Sequence, residues 1–371
     1  MTGALENLRT LESIQPDNGE QHPAANRGHP EPQRTASECP PPDYDEWHRR
    51  LLAEQWDLAC QPHTLVGLTK SQAVANNSEA LIEVLTVIAL GCRNPNFGPK
   101  LRSALIQAGL AAPLTRLLIE NGPSATSRVR VVGHILDTIV AVCNQDPENQ
   151  EAFGYAGIVA PLTALLETFP DTTALPPDLV DPVLVAICNL SDDSDNRAAF
   201  GEPVVVDSLA RLAASAADPS RATDPAVARA LLTAINQLAI DPHNRASFGR
   251  TAMISHLTRL LVNNQALATH PLVAEAFFAT IGNLVARNPQ NQAAFRQAGI
   301  IPALADLMVA GRPGLATSSL LLGAIVRLAR ACPENGAAFL QTRLVDRLRA
   351  APQPGQPILQ PFELEQLFRA Q

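Results

Sequence analysis

Aromatic residues make up only 4% of these 371 residues, and lysine occurs twice, at Lys70 and Lys100. With hydrophobic residues at 46%, the chain has material for a large core, but that core must be built from Leu, Ala, Val and Ile. The scarcity of basic residues leaves a formal net charge of −8 and a pI near 5.5. That balance argues against non-specific binding to nucleic acid or to anionic membrane, both of which need a basic surface. No apolar run approaches the length of a membrane span. The N-terminal MTGALENLRTLESIQ lacks the basic flank and apolar stretch of a signal peptide, and Gly3 stands one position too late for myristoylation. The six cysteines (Cys39, Cys60, Cys92, Cys143, Cys188, Cys332) form no CxxC pair. Cys143 and Cys188 fall in apolar helical runs and are expected to be buried reduced thiols. The glycosylation triplets at Asn76 and Asn189 carry no weight in a chain read as cytoplasmic, with the nucleus also open.

Catalytic punctuation is missing as well. The eight histidines are scattered, and no HExxH, P-loop, GxGxxG or GxSxG occurs. His134 and His256 read as surface or satisfied polar groups. Asp192, Asp193 and Asp195 in SDDSDN lack the rest of a Ca²⁺-loop spacing and read as a polar turn. The expectation is a non-enzyme with neither cofactor nor metal.

What is present is repetition. NPQNQAAFRQAGIIPALADLM at 288–308 returns as DPENQEAFGYAGIVAPLTALL from Asp146 and DPHNRASFGRTAMISHLTRLL from Asp241. Shorter variants begin at Asp193 and Cys332. Anchored on Phe153, Phe200, Phe248, Phe295 and Phe339, the spacings are 47, 48, 47 and 44, with Leu105 standing 48 before the first. Nine residues after each anchor comes Leu114, Leu162, Leu209, Leu257, Leu304 or Leu348. This phase marks a tandem array. Asn149, Asn196, Asn244, Asn291 and Asn335 precede the anchors and are expected to cap helix N-termini. Pro147, Pro242, Pro289 and Pro333 stop the preceding helix. Gly109, Gly157 and Gly299 permit a sharp turn between a short first helix and a second one. A loop and a longer apolar helix complete three helices per unit.

The order Asn, Phe, Gly, Ile-Pro-x-Leu-x-x-Leu resembles the armadillo repeat over roughly residues 75–350. That resemblance implies an all-α, right-handed superhelical solenoid of about five full units plus partial ends, whose third helices line a concave groove. The motif itself is a core and turn signature. The expected layout is a short amphipathic segment at 1–15, a disordered Pro-rich linker at 16–42, the array at 43–350, and a Pro-rich linker with an amphipathic segment at 351–371. A helix over 43–60 carries Trp47 and Trp56, read as a cover for the first repeat or as an exposed partner site. Ile358, Phe362, Leu364, Leu367 and Phe368 read as a cap on the last unit, or as a segment that docks elsewhere.

The family resemblance places function on the third helices. Six residues before the repeat prolines stand Ala141, Asn236, Asn283 and Arg327, and the shorter unit offers Asn189. In adaptors of the importin-α type, asparagines at this position hold peptide backbone, with tryptophans one turn earlier. Here that turn carries Asp137, Leu232, Ala279 and Gly323, which argues against nuclear-localisation-signal binding. The same face offers Arg130, His134, Arg229, Glu275, Arg287 and Arg330, a mixed, mildly basic lining suited to an acidic or mixed partner. Asparagines that only satisfy neighbouring backbone are the bland alternative. IGNLVARNPQNQAAFRQAGIIPALADLM is similar to units of the smg-type GDP-dissociation stimulators, which bind small GTPases. Lysine-lined grooves of the β-catenin type do not fit two lysines. Two functions follow as expectations: a scaffold or adaptor for an extended peptide, or a small-GTPase regulator.

Overall fold

The computed structural model describes residues 43–52, 61–125, 127–144, 146–169, 177–310, 315–350 and 361–369. The segments 1–15 and 16–42, Trp56, Cys39, Cys60 and the linker 351–360 lie outside the described residues. The chain divides into two compact units, Met1–Pro113 and Leu114–Gln371. Every described α or β element is a helix, and no single described helix is long and apolar enough to cross a membrane.

The first unit contains α1 (Tyr44–Leu52), α2 (Pro62–Lys70), α3 (Gln72–Asn76), α4 (Ser78–Arg93) and α5 (Gly98–Gln107). α2 packs on α3, α4 and α5. Tyr44 and His48 both reach Glu83 on α4, and Trp47 beside them is 2% exposed. Trp47 is therefore core rather than surface.

The second unit holds most of α6 (Ala111–Asn121), then α7 (Val129–Cys143), α8 (Pro147–Tyr155), α9 (Val159–Glu167), α10 (Pro177–Leu190), α11 (Ser194–Ala199), α12 (Pro203–Ala216) and α13 (Pro225–Leu238). It continues with α14 (Pro242–Arg250), α15 (Met253–Asn263), the short α16 (Gln265–Ala268), α17 (Ala274–Val285), α18 (Pro289–Gln297), α19 (Ile300–Ala310) and α20 (Leu315–Ala329). α21 (Pro333–Gln341), α22 (Leu344–Ala350) and α23 (Pro361–Arg369) close it. Like packs on like. The long third helices follow one another as α7, α10, α13, α17 and α20, and the second helices as α9, α12, α15, α19 and α22. This nearest-neighbour stacking defines a solenoid of three-helix units. The anchors Phe153, Phe200, Phe248, Phe295 and Phe339 are all fully buried, each contributing roughly 1.5–3 kcal/mol of hydrophobic stabilisation. Gly109, Gly157 and Gly299 have φ of 85°, 76° and 87°, the left-handed turn between first and second helices.

One expectation is corrected. The repeated asparagines do not cap the short helices. The caps stand three residues earlier, where Asp146, Asp193, Asp241 and Asn288 accept from the backbone N–H of Asn149, Asn196, Asn244 and Asn291. The prolines are the first residues of the short helices, where no N–H is needed. The asparagines themselves are buried and spend their amides on backbone carbonyls. Asn149, Asn291 and Asn335 donate to Val142, Leu284 and Leu328 at the end of the preceding third helix (2.9, 2.8 and 2.8 Å). Across to the previous unit, Asn196 donates to Gln150 O, Asn244 to Arg197 O, Asn291 to Arg245 O and Asn335 to Gln292 O, at 2.8, 2.8, 3.0 and 3.2 Å. The residue after the anchor faces this clamp. A Cβ on Gly154, Gly201 or Gly249 would lie 2.2, 1.7 or 1.9 Å from the asparagine oxygen of the next unit.

α23 lies against α20, α21 and α22. Phe368 stacks on the anchor Phe339 with ring centroids 5.1 Å apart, and Leu364 and Phe368 are buried. Arg349 on α22 pairs with Glu365 at 2.6 Å. The four described cysteines are free thiols; Cys143 is buried, whereas Cys188 is only half-buried.

The clamp makes a specific coupling. Asn244→Ala should cost about 1–3 kcal/mol by orphaning the Arg197 carbonyl, and Gly201→Ala a similar amount by collision with Asn244. With the asparagine gone the collision disappears, so the double variant should lose less than the sum of the two. Urea-unfolding midpoints of the four proteins measure this; strict additivity would contradict the contact.

Candidate third-helix binding face

Because α13, α17 and α20 stack in register, residues one repeat apart meet. Asn283 Nδ2 donates to Asn236 Oδ1 at 2.9 Å and lies 3.4 Å from the Asn236 carbonyl. Arg327 Nη1 in turn donates to Asn283 Oδ1 at 3.3 Å. Gly282 makes room for that guanidinium, since a Cβ there would lie 2.9 Å from Arg327 Nη1. The result is a ladder of side chains across three helices, half-buried at the two asparagines and exposed at Arg327. Asn236 Nδ2 has no hydrogen-bond acceptor among the described residues. Asn189 stands apart from the ladder: its amide donates to Val185 O at 2.9 Å within its own helix. Asp192 accepts from Gln237 on α13, so the SDDSDN turn supplies a helix cap and a tie between units.

Arg130, His134 and Asp137 on α7 come together with Asp181 and Asp224 around a cavity of about 550 Å³. Asp181 Oδ1 is buried there with no hydrogen-bond partner. Burial raises the Asp181 carboxyl above its ordinary range, with Arg229 opposing the shift and Asp224 adding to it. Burial likewise lowers the His134 imidazole, with Asp137 opposing. Arg229 and Glu275 are exposed on α13 and α17 and are not among the residues lining this cavity. A second cavity of about 500 Å³ has Asn283, Arg287, Asn288, Gln292, Arg327 and Arg330 among the residues that line it.

Asp181, Asp224 and Gln292 escaped the sequence reading. Asp181 was within reach of the count: it stands eight before Asn189, as Arg229 stands seven before Asn236, two helical turns up the same face. Asp224 reads as a helix cap and is one, accepting from Ala226 N at 2.7 Å.

Three-helix units stacked like on like have the form of an armadillo-repeat fold, and solved structures agree. The chain is similar to a designed armadillo repeat protein in complex with the peptide (KR)4, with a TM-score of 0.57 and 18% identity over 72% of this chain and 99% of that one. A computationally designed armadillo repeat protein made for modular peptide recognition matches equally, at TM-score 0.57, 18% identity and the same coverage. Another designed armadillo repeat protein gives 0.56 and 19%, again over 72% and 99%. No family model matches the chain, and no curated protein matches it. The likeness establishes the armadillo-repeat fold.

The half-buried histidines set a pH dependence. Burial holds His134 and His256 below the ordinary value of 6.5, so both are neutral in the fold near neutrality. The unfolded chain takes up protons that the folded chain refuses, and stability is lost as pH falls through about 6.5. Asp181 works in the opposite sense, but only in the more acidic range where carboxylates titrate. The melting temperature should therefore drop between about pH 7.5 and about pH 5.5, and a His134→Gln/His256→Gln variant should show a flatter profile. Equal slopes for the two proteins would remove these histidines as the cause.

Proposed function

We propose that the protein is a non-catalytic scaffold or adaptor that binds an extended segment of a protein partner along its third-helix face. The observation that carries this reading is the Asn236–Asn283–Arg327 ladder. It repeats polar side chains at the spacing of stacked helices, and it leaves the Asn236 amide available to a partner's backbone carbonyl. A helix-to-helix step of roughly 10 Å matches about three residues of extended chain. The structural neighbours support the reading, since one of them holds a peptide. Along the same face, Arg130, Asp137, Arg229, Glu275 and Arg287 supply charge of both signs beside Arg327, His134 adds a neutral imidazole, and Asn189 serves its own helix. Neither nucleic acid nor a membrane is proposed as a partner, and the cytoplasm, with the nucleus also open, is the proposed location. Regulation of a small GTPase is the alternative reading; it rests on sequence likeness to the GDP-dissociation stimulators, and its signature is accelerated GDP release.

Fluorescence anisotropy of a panel of extended octapeptides tests the binding face. Asn236→Ala/Asn283→Ala should weaken the best binder by about tenfold or more, with an unchanged helical circular-dichroism signal, because the ladder bonds lie on a half-exposed surface. Undiminished affinity in the double variant would sink the proposal. A GTPase panel loaded with fluorescent GDP tests the alternative in parallel.

A further inference from the structure

The second cavity has a one-sided charge. Arg287, Arg327 and Arg330 line its volume of about 500 Å³, and no Asp or Glu does, in a chain whose net charge is −8. All three are exposed, and none takes part in an ion pair among the described residues. Arg245 adds to the field from behind. Its guanidinium is spent on the carbonyls of Ala239, Ile240 and Ala286. Burial lowers its pKa, Asp241 opposes this, and Arg287 adds to the lowering. Three guanidiniums held around one void repel one another, and an anion placed between them relieves that repulsion.

Two features hold this arrangement in place. Gln292, 4% exposed, donates through Nε2 to the carbonyls of Arg327 and Arg330 at 2.8 and 2.9 Å, fixing the last turn of α20 against α18. Arg287 occupies the turn after α17 with φ of 52°, the left-handed region. Glycine adopts that conformation without steric cost and is the usual occupant of such a turn. Here a long cation stands in its place.

The geometry points to a carboxylate-accepting subsite of the peptide face: we infer that this cavity takes the Asp or Glu side chains of an acidic extended segment. This rests on the peptide-binding reading above and names the chemistry of the partner. Asn283 belongs both to the ladder and to the cavity wall, so a backbone running along the ladder delivers its side chains there. Guanidinium forks match carboxylates in two-point hydrogen bonding. A phosphate cradle would draw on several converging backbone N–H groups, but the adjoining start of α18 offers only that of Gln290: Pro289 has no N–H, and Asn288 caps Asn291 N at 3.0 Å.

The test uses the full chain and three labelled peptides, (Glu-Ala)4, (Gln-Ala)4 and (Lys-Arg)4, at low salt. The acidic peptide should bind about tenfold or more tighter than the neutral one, with the basic peptide weakest, and added salt should erase the difference. Arg327→Ala/Arg330→Ala should lose that advantage. Arg287→Gly should weaken acidic binding several-fold while leaving the melting temperature unchanged or higher, a combination that a purely structural role would not produce. The inference is overturned if acidic and neutral peptides bind alike, if the arginine variants bind as wild type does, or if a phosphoserine peptide is strongly preferred to its glutamate counterpart. Basic or neutral peptides that bind at least as tightly as the acidic one and are lost on Asn236→Ala/Asn283→Ala would keep the peptide-binding reading and reject the acidic one. No binding of any peptide would reject both.

Discussion

The array depends on where a buried amide sends its protons. Each repeated asparagine sits in the first turn of a short helix, out of water, with two donors to satisfy. In the fullest examples, Asn291 and Asn335, one amide nitrogen reaches both the preceding third helix and the previous unit. A single side chain thus fixes the angle within a unit and the register between units. Leucine stripes supply the larger free energy, but apolar contact is non-directional and tolerates sliding. The amide does not. The face formed by the third helices inherits its regularity from this constraint, because Asn236 and Asn283 meet only while their helices keep one step.

Much of this was legible in the sequence. Phe anchors, leucines nine residues on, and the glycines at 109, 157 and 299 recur in a fixed phase and predicted three-helix units correctly. The asparagine role was misread because an Asn near a helix start looks the same in sequence whether it caps or clamps. The capping residue, three positions upstream, was also visible as Asp146, Asp193 and Asp241, which in principle freed the Asn for another task. Gly154 and Gly249, inside short helices, and Gly201, just past one, carried a second hint: glycine there implies something pressed against its backbone.

The third-helix face was legible by counting from the prolines, which located Asn236, Asn283 and Arg327. Its internal bonding was not. Asn189 matches the other asparagines in position, yet it turns to its own helix, and no periodicity distinguishes the two cases. Nor does sequence announce that Arg287 adopts a left-handed turn, because the rule that reads φ from residue type works for glycine and is silent for arginine. Charge sorting along the face also needed the fold. Asp137, Asp181 and Asp224 gather with the single Arg130 at one cavity and Arg287, Arg327 and Arg330 at another, although along the chain the two signs alternate freely.

The docked helix α23 lies on the outer face of the last unit. Gly336 follows Asn335, at the position whose carbonyl accepts the clamp in earlier units, and a Cβ there would lie 2.7 Å from the carbonyl of Phe368. The surface to which a further repeat would attach is therefore taken by a helix with no asparagine to offer. Stacked repeats are, in geometric terms, head-to-tail interfaces that never close into a ring, and an uncovered terminal face invites other molecules to add on and form open filaments. With α23 seated, that growing end is chemically mute, and polymerisation by repeat-on-repeat addition would first require the helix to leave.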